Sequence, residues 1–403
     1  MTEVDRYRNE MVQVMCKLVE TPAVNPTYGG EGEYKRGMWL AEYMKTIGLE
    51  PEMVILPDKA EPNRKRVNIV ARLHGARQDG PTLWLVSHLD TVGEGDPSLW
   101  HTPPFKAVVQ DGKVFGRGAE DNIQGIVASL FAVRALKEAG LQPGCNLGLV
   151  FAADEEAGSE HGLLKLIERG VFRPEDEAIV TDAGRPDGSF IEVAEKSVLW
   201  IRFYFYGKQA HASAPHLGIN ASAIATHFGA DLDDFLKAKY SLRDYRFEPP
   251  YSTFEITQKF DNVTSPNILP GTDSFVMDNR VLPQYSLKEV LGDIERLISE
   301  YEFRTGVKIE YKILQISEAS QPTPSDAPIV RKLARAIEKR GTRPTVGGIG
   351  GSTCADFLRR IGMAAVVWGT LEGKAHQPNE CAVIDNVVAD AATLLEVAVD
   401  CAD

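Results

Sequence analysis

The chain has 403 residues, 43% of them hydrophobic and 25% charged, and a formal net charge of -13 at pH 7. Its length points to two domains or to one domain carrying a large insertion, and its composition excludes a disordered chain. The negative balance disfavours nucleic acid and anionic membranes as partners, and no apolar run approaches the ~20 residues of a bilayer span.

The first segment, "MTEVDRYRNEMVQVMCKLVE", places Val4, Tyr7, Met11, Met15 and Leu18 at helical spacing and lacks the pattern of a secretory signal. Short apolar strands follow: "RVNIVARL", "TLWLVSHLD", "CNLGLVFAADEE" and "EAIVTDAG". Between the second and third lies a predicted helix, "DNIQGIVASLFAVRALKEAG", with Ile123, Ile126, Leu130, Val133 and Leu136 at helical spacing and Gly140 as its stop. Apolar strands separated by helices predict an α/β fold with a mainly parallel sheet, helices on both faces, and ligand sites at the strand C-termini.

Residues 195–316 then read strand, helix, strand, strand, helix, strand. That β-α-β-β-α-β order is the ferredoxin-like arrangement of a small α+β domain. After the Pro-rich "EASQPTPSDAP" the first pattern returns, with the helix "APIVRKLARAIEKRG", the strand "MAAVVWGT" and a closing helix. The predicted organisation is an α/β domain of residues 1–194 and 317–403 interrupted by an inserted domain of residues 195–316. The cysteines, Cys16, Cys145, Cys354, Cys381 and Cys401, are odd in number and form no CxxC pair, which fits a reduced, cytoplasmic location.

Candidate chemistry sits where the apolar strands end. His88 and Asp90, two apart in an extended segment, leave the strand on the same side, as a metal ligand and its carboxylate orienter would; locally, His88 could make a turn contact and Asp90 a cap. Asp121 stands at a helix start, where an N-cap is the ordinary role, after glycines that permit close approach. Glu155 and Glu156 follow a buried strand back to back, where charge is costly unless paired or metal-bound. Consecutive residues diverge, so one can ligate metal while its neighbour faces a bound water; Glu156 is taken as the ligand and Glu155 as the general base. Asp182 ends "AIVTDAG", and His376 lies in the loop "EGKAHQPNE". Singly each has a bland reading; together, two histidines and three carboxylates suit two divalent ions sharing one carboxylate, with zinc the first choice and cobalt or manganese alternatives.

The stretches "SHLDTV", "WHTPPFKAVVQDGKVFGRGAED", "DEEAGS", "TDAG", "GKQAHASAPHLGINA" and "AHQPNE" run in one order across nearly the whole chain. In them the sequence resembles the co-catalytic zinc hydrolases that include carboxypeptidase G, acetylornithine deacetylase, succinyl-diaminopimelate desuccinylase, aminoacylase and the carnosinase-type dipeptidases. The resemblance implies that Asp121 bridges two ions, with His88 and Asp182 on one and Glu156 and His376 on the other. It implies that Asp90 orients His88 and that Glu155 takes the proton of the attacking water. The inserted domain would be a lid and dimerisation domain, and His211 would stabilise the oxyanion in the partner subunit's site. Asn267, Arg280, Gly351 and Ser352 would line the substrate pocket, with Arg280 clamping a substrate carboxylate.

Two segments depart from the family pattern. "DNIQG" lacks the lysine that often follows the bridging aspartate, and "GGSTCADF" lacks an aspartate directly after Gly-Gly-Ser/Thr. The expected reaction is hydrolysis of an amide bond next to a free carboxylate, in a small peptide or an N-acyl amino acid, by a homodimer. Aspartate at 182 tilts the resemblance toward peptidases, with an N-acyl-amino-acid deacylase as the alternative. A non-catalytic binder would have lost ligands or Glu155. A dinucleotide-dependent dehydrogenase is disfavoured because no Gly-x-Gly-x-x-Gly follows the first strand, and "VGGIGGST" lacks the lysine and spacing of a P-loop.

Overall fold

Thr82–His88 is buried at every position, as is its neighbour Asn146–Ala152, the continuous apolar reading of strands covered on both faces. In the computed structural model, which describes residues 3–75, 79–141, 143 and 145–400, these strands lie at the centre of an eight-stranded sheet. Its order is Glu52–Pro57, Lys65–Leu73, Asn146–Ala152, Thr82–His88, Glu177–Val180, Ala364–Val367, Phe190–Glu195 and Thr345–Ile349. The four strands from Asn146–Ala152 to Ala364–Val367 are mutually parallel. Antiparallel pairing flanks them, so the sheet is mixed with a parallel centre.

Along Thr82–His88, Trp84 and Val86 enter a buried cluster with Leu163, Leu166, Ala355 and Leu358. Leu83 and Leu85 alternate to the other face, and the helix Gly125–Glu138 packs on the same strand. Register puts Trp84 opposite Gly148, where an added Cβ would stand 2.0 Å from the indole, so only glycine fits beside that ring. Trp84 is held by its Nε1–H, which donates to Asp176 Oδ2 at 3.0 Å.

The chain divides into two compact units. The first comprises Met1–Val193, Thr323–Val346 and Thr353–Asp403; the second comprises Ala194–Pro322 and Gly347–Ser352. The second unit has a four-stranded antiparallel sheet in the order Thr253–Lys259, Thr272–Val281, Ser197–Tyr206, Lys308–Ser317. Helices Ala221–Lys239 and Leu287–Thr305 cover it through an aromatic-rich core of Phe203, Phe205, Phe228, Phe254 and Phe275. The inserted unit runs past residue 316 because Ala319 N–H donates to Ser197 Oγ at 2.8 Å and Glu318 accepts from Leu287 N–H at 3.1 Å. It takes in the 347–352 loop because Lys196 N–H donates to Ile349 O at 3.1 Å and Gly348 N–H to Arg246 O at 2.6 Å.

Cysteine pairing departs from expectation. Cys16, Cys354 and Cys381 are free, but Cys145, at the mouth of a central strand, is disulfide-bonded. Cys401 lies outside the described residues. A disulfide removes the argument from unpaired thiols for a reducing compartment. Among the described residues no helix is long and apolar enough to cross a membrane.

Candidate metal centre

The C-termini of adjacent parallel strands deliver the polar groups. Thr82–His88 ends on His88, Asn146–Ala152 runs into Glu155 and Glu156, Glu177–Val180 runs into Asp182, and His376 follows Ala364–Val367 in the chain. Asp121 comes from an irregular turn before Gly125–Glu138, with φ -117° and ψ 93° and a cis peptide to Asn122. It caps no helix; its side chain faces both histidines. The preceding Gly118 has φ 86°, and a Cβ there would stand 2.7 Å from Thr91, which explains the glycine.

Two donor groups form: His88, Asp121 and Asp182, and Asp121, Glu156 and His376. Asp121 divides its oxygens between them, with Oδ1 2.7 Å from His88 Nε2 and Oδ2 3.0 Å from His376 Nε2. His88 Nε2 also stands 3.3 Å from Asp182 Oδ1, and His376 Nε2 3.1 Å from Glu156 Oε2. Asn122 Nδ2 donates to Asp182 Oδ1 at 3.0 Å, so the departing "DNIQG" segment still contributes to the cluster.

Four partly buried carboxylates gather around the buried His88 and the exposed His376, more negative charge than the site can hold without cations. Burial, reinforced by Asp182, pushes the Glu155 carboxyl well above its usual range. Burial and then Asp121 push Glu156 to about 6. Hydrogen bonds to Asp121 and Glu156 raise His376 to about 10. For His88 burial opposes the charged form, yet the carboxylates of Asp182 and Asp121 outweigh it and raise its pKa well above the usual value. Without metal the site therefore retains protons that divalent ions would displace. Two histidines and three carboxylates, one of them split between both groups, fit a pair of divalent ions.

Asp90 acts differently from the expectation. His88 Nδ1 hydrogen-bonds the Asp90 backbone carbonyl at 3.0 Å, while the Asp90 carboxylate stands 3.7 Å away. That carboxylate instead accepts from Glu155 N–H at 3.0 Å, Glu156 N–H at 3.3 Å and Asn25 Nδ2 at 2.8 Å. It therefore holds the turn that presents both glutamates.

Behind this turn is a buried network that the sequence reading missed. Asp154, in the left-handed region at φ 64°, accepts from Arg66 Nη2 and Asn25 Nδ2, both at 3.0 Å, and from His161 N–H and Nδ1. Arg66 also binds Glu33 and Asp58. The available signal was Asp154 itself, the first of three consecutive acids after a fully buried strand in "FAADEE".

The second unit carries the remaining candidates. His211 is exposed, pairs with Ile268 across a short bridge, and bonds Ser213 Oγ through Nδ1 at 2.7 Å. Asn267 stands beside it, its backbone carbonyl accepting Ala212 N–H at 2.9 Å. Arg280 donates through Nη1 to Gly350 O at 3.0 Å, next to Gly351 and Ser352. Its Nε and Nη2 already grip Asp278 at 2.7 and 3.0 Å, so a substrate carboxylate would have to compete with Asp278.

Comparison with known proteins agrees with this geometry. Residues 84–400 match the model of peptidase family M20/M25/M40. An uncharacterized metallohydrolase of Methanocaldococcus jannaschii is 40% identical over 409 residues, covering 96% of this chain and 98% of that protein. Succinyl-diaminopimelate desuccinylase of Coxiella burnetii is 24% identical over 380 residues, covering 92% and 94%. A tripeptidase structure from Staphylococcus aureus superposes with a TM-score of 0.76 at 20% identity, covering 98% of each chain. The chain belongs to peptidase family M20/M25/M40 and is a hydrolase of amide bonds.

Proposed function

We propose that the protein is a two-metal hydrolase that cleaves an amide bond next to a free carboxylate in a small peptide. The observation that supports this reading most is the division of Asp121 between two donor groups, with the Glu155 carboxylate beside them and engaged in no hydrogen bond among the described residues. When bound, two divalent ions, zinc first among the candidates and cobalt or manganese next, would polarise the scissile carbonyl and acidify the attacking water. His88, Asp121 and Asp182 would hold one, and Asp121, Glu156 and His376 the other.

Glu155 takes the proton of the attacking water at its carboxylate and passes it to the leaving amine. Its displaced pKa suits it to hold that proton between the two steps. Asp90, gripping the backbone N–H groups of Glu155 and Glu156, keeps the base and its neighbouring ligand in register. His211 and Asn267 are assigned to the oxyanion and the substrate, and Arg280 to the substrate carboxylate, with Gly351 and Ser352 as the pocket wall. In this reading His211 serves the partner subunit of a homodimer. The retained Glu155 argues against a non-catalytic binder.

A deacylase of N-acyl amino acids is the second reading, favoured by the similarity to a desuccinylase. The discriminating experiment is hydrolysis by the Zn2+- or Co2+-loaded protein of paired panels, free dipeptides and tripeptides against N-acetyl and N-succinyl amino acids. Turnover confined to the peptides supports the first reading, and turnover confined to acylated amino acids overturns it in favour of the second.

A further inference from the structure

The two segments that meet at the metal centre, around Asp121 and around His376, are joined by two buried carboxylates in opposite senses. Glu120, 1% exposed and adjacent to Asp121, accepts the backbone N–H groups of Glu372, Lys374 and Ala375, the residues leading into His376. Glu380, fully buried four residues after His376, accepts the backbone N–H groups of Gly118, Glu120 and Asp121, each at 3.0 Å, and Arg117 Nη1 at 2.6 Å. Each segment thus supplies one carboxylate that binds three consecutive or near-consecutive amides of the other. Arg117 keeps a cation inside the clamp.

The two histidines are supported unequally. His88 is 2% exposed and fixed through Nδ1 by the Asp90 carbonyl. The His376 side chain is 53% exposed, sits at φ 63°, and its Nδ1 has no hydrogen-bond partner among the described residues. A metal-binding histidine is ordinarily oriented by a partner on its other ring nitrogen. Among the described residues His376 has none, so beyond its Nε2 contacts to Asp121 and Glu156 its position depends on its segment, which Glu120 and Glu380 tie to that of Asp121.

We infer that Glu120 and Glu380 are positioning residues that set the His376 segment against Asp121, and that they govern one ion of the pair. The inference rests on the two-ion reading above. Loosening the clamp moves the His376 segment relative to Asp121 and Glu156, while His88 and Asp182, at the ends of Thr82–His88 and Glu177–Val180, lie outside it.

The test is stepwise Zn2+ binding to the metal-free protein by calorimetry with a competing chelator, for wild type, Glu120→Gln and Glu380→Gln. His376→Ala and His88→Ala identify which step belongs to which ion. Loss of an outer partner weakens metal binding about 10- to 100-fold. The expected result is a loss of that size on the His376 step, with the His88 step weakened less. Equal weakening of both steps, as general loosening would produce, overturns the inference, and so does no change in either. If Glu380→Gln does not fold, Glu120→Gln makes the same comparison from the other side of the clamp. A wild-type protein that binds fewer than two ions refutes the underlying two-ion reading, an outcome distinct from failure of the clamp alone.

Discussion

Replacing Arg66 with methionine isolates the buried network behind the catalytic turn. Arg66 is 2% exposed and is the guanidinium partner of Glu33, Asp58 and Asp154, which are 0, 5 and 4% exposed. Methionine fills similar volume but leaves three buried carboxylates without that cation. Removing one member of a buried ion pair costs about 3–5 kcal/mol, chiefly from the charge left behind. For a folding unit of this size that corresponds to a fall in Tm of roughly 6–10 °C, at about 2 °C per kcal/mol. The double variant Arg66→Met/Asp154→Asn should recover part of this loss, because it removes one stranded charge. Turnover should still fall in both, since Asp154 anchors the turn that carries Glu155 and Glu156. Thermal denaturation followed by circular dichroism, with kcat measured alongside, provides the assay. A single variant within about 1 kcal/mol of wild type would refute the reasoning.

Three further outcomes follow from other sites. Gly148→Ala drives a Cβ to 2.0 Å from the Trp84 ring and should destabilise by about 1–3 kcal/mol in urea denaturation; an unchanged midpoint would show that the central strands shift freely. Hydrogen bonds from Arg246 hold Asp244 at about 2, below its unfolded value near 4, so its contribution is present above about pH 4 and lost as pH falls toward 2. Asp244→Asn should flatten that part of the acid-unfolding curve, and an unaltered curve would discount the pair. Chelation should lower Tm, because ions that bind only the folded state contribute about 2.7 kcal/mol at 100 times Kd; a Tm insensitive to EDTA and to added Zn2+ would contradict the charge argument for the site.

The parallel centre of the sheet and the strand-helix-strand-strand-helix-strand order of the insertion were legible in the sequence because burial on two faces and the change of hydrophobic period are local signals. The cluster around Asp121 was legible because His88, Glu156 and Asp182 each end an apolar strand, where a polar group demands a partner. The sheet's antiparallel flanks were not, since an apolar strand such as Lys65–Leu73 reads alike in either direction. Asp90 was legible only in part: its carboxylate stands 3.7 Å from His88 Nδ1, but it accepts from the amides of a turn more than 60 residues away in the chain. Glu120 and Glu380 escaped for the same reason, as their partners lie about 250–260 positions off. The 347–352 loop joined the inserted unit through Arg246, Lys196 and Arg280, contacts that no local pattern encodes.

In the proposed mechanism Glu155 moves the proton while the other residues hold two metal ions, and Glu155→Gln separates the two roles. Its metal content by elemental analysis and its turnover on the best substrate of the panel should be measured on the same preparation. The variant should hold two ions per chain, as in wild type, with kcat reduced about 10²- to 10⁴-fold, the usual contribution of a positioned general base. Normal turnover with two ions bound would contradict it, and so would loss of an ion, which would make Glu155 a ligand.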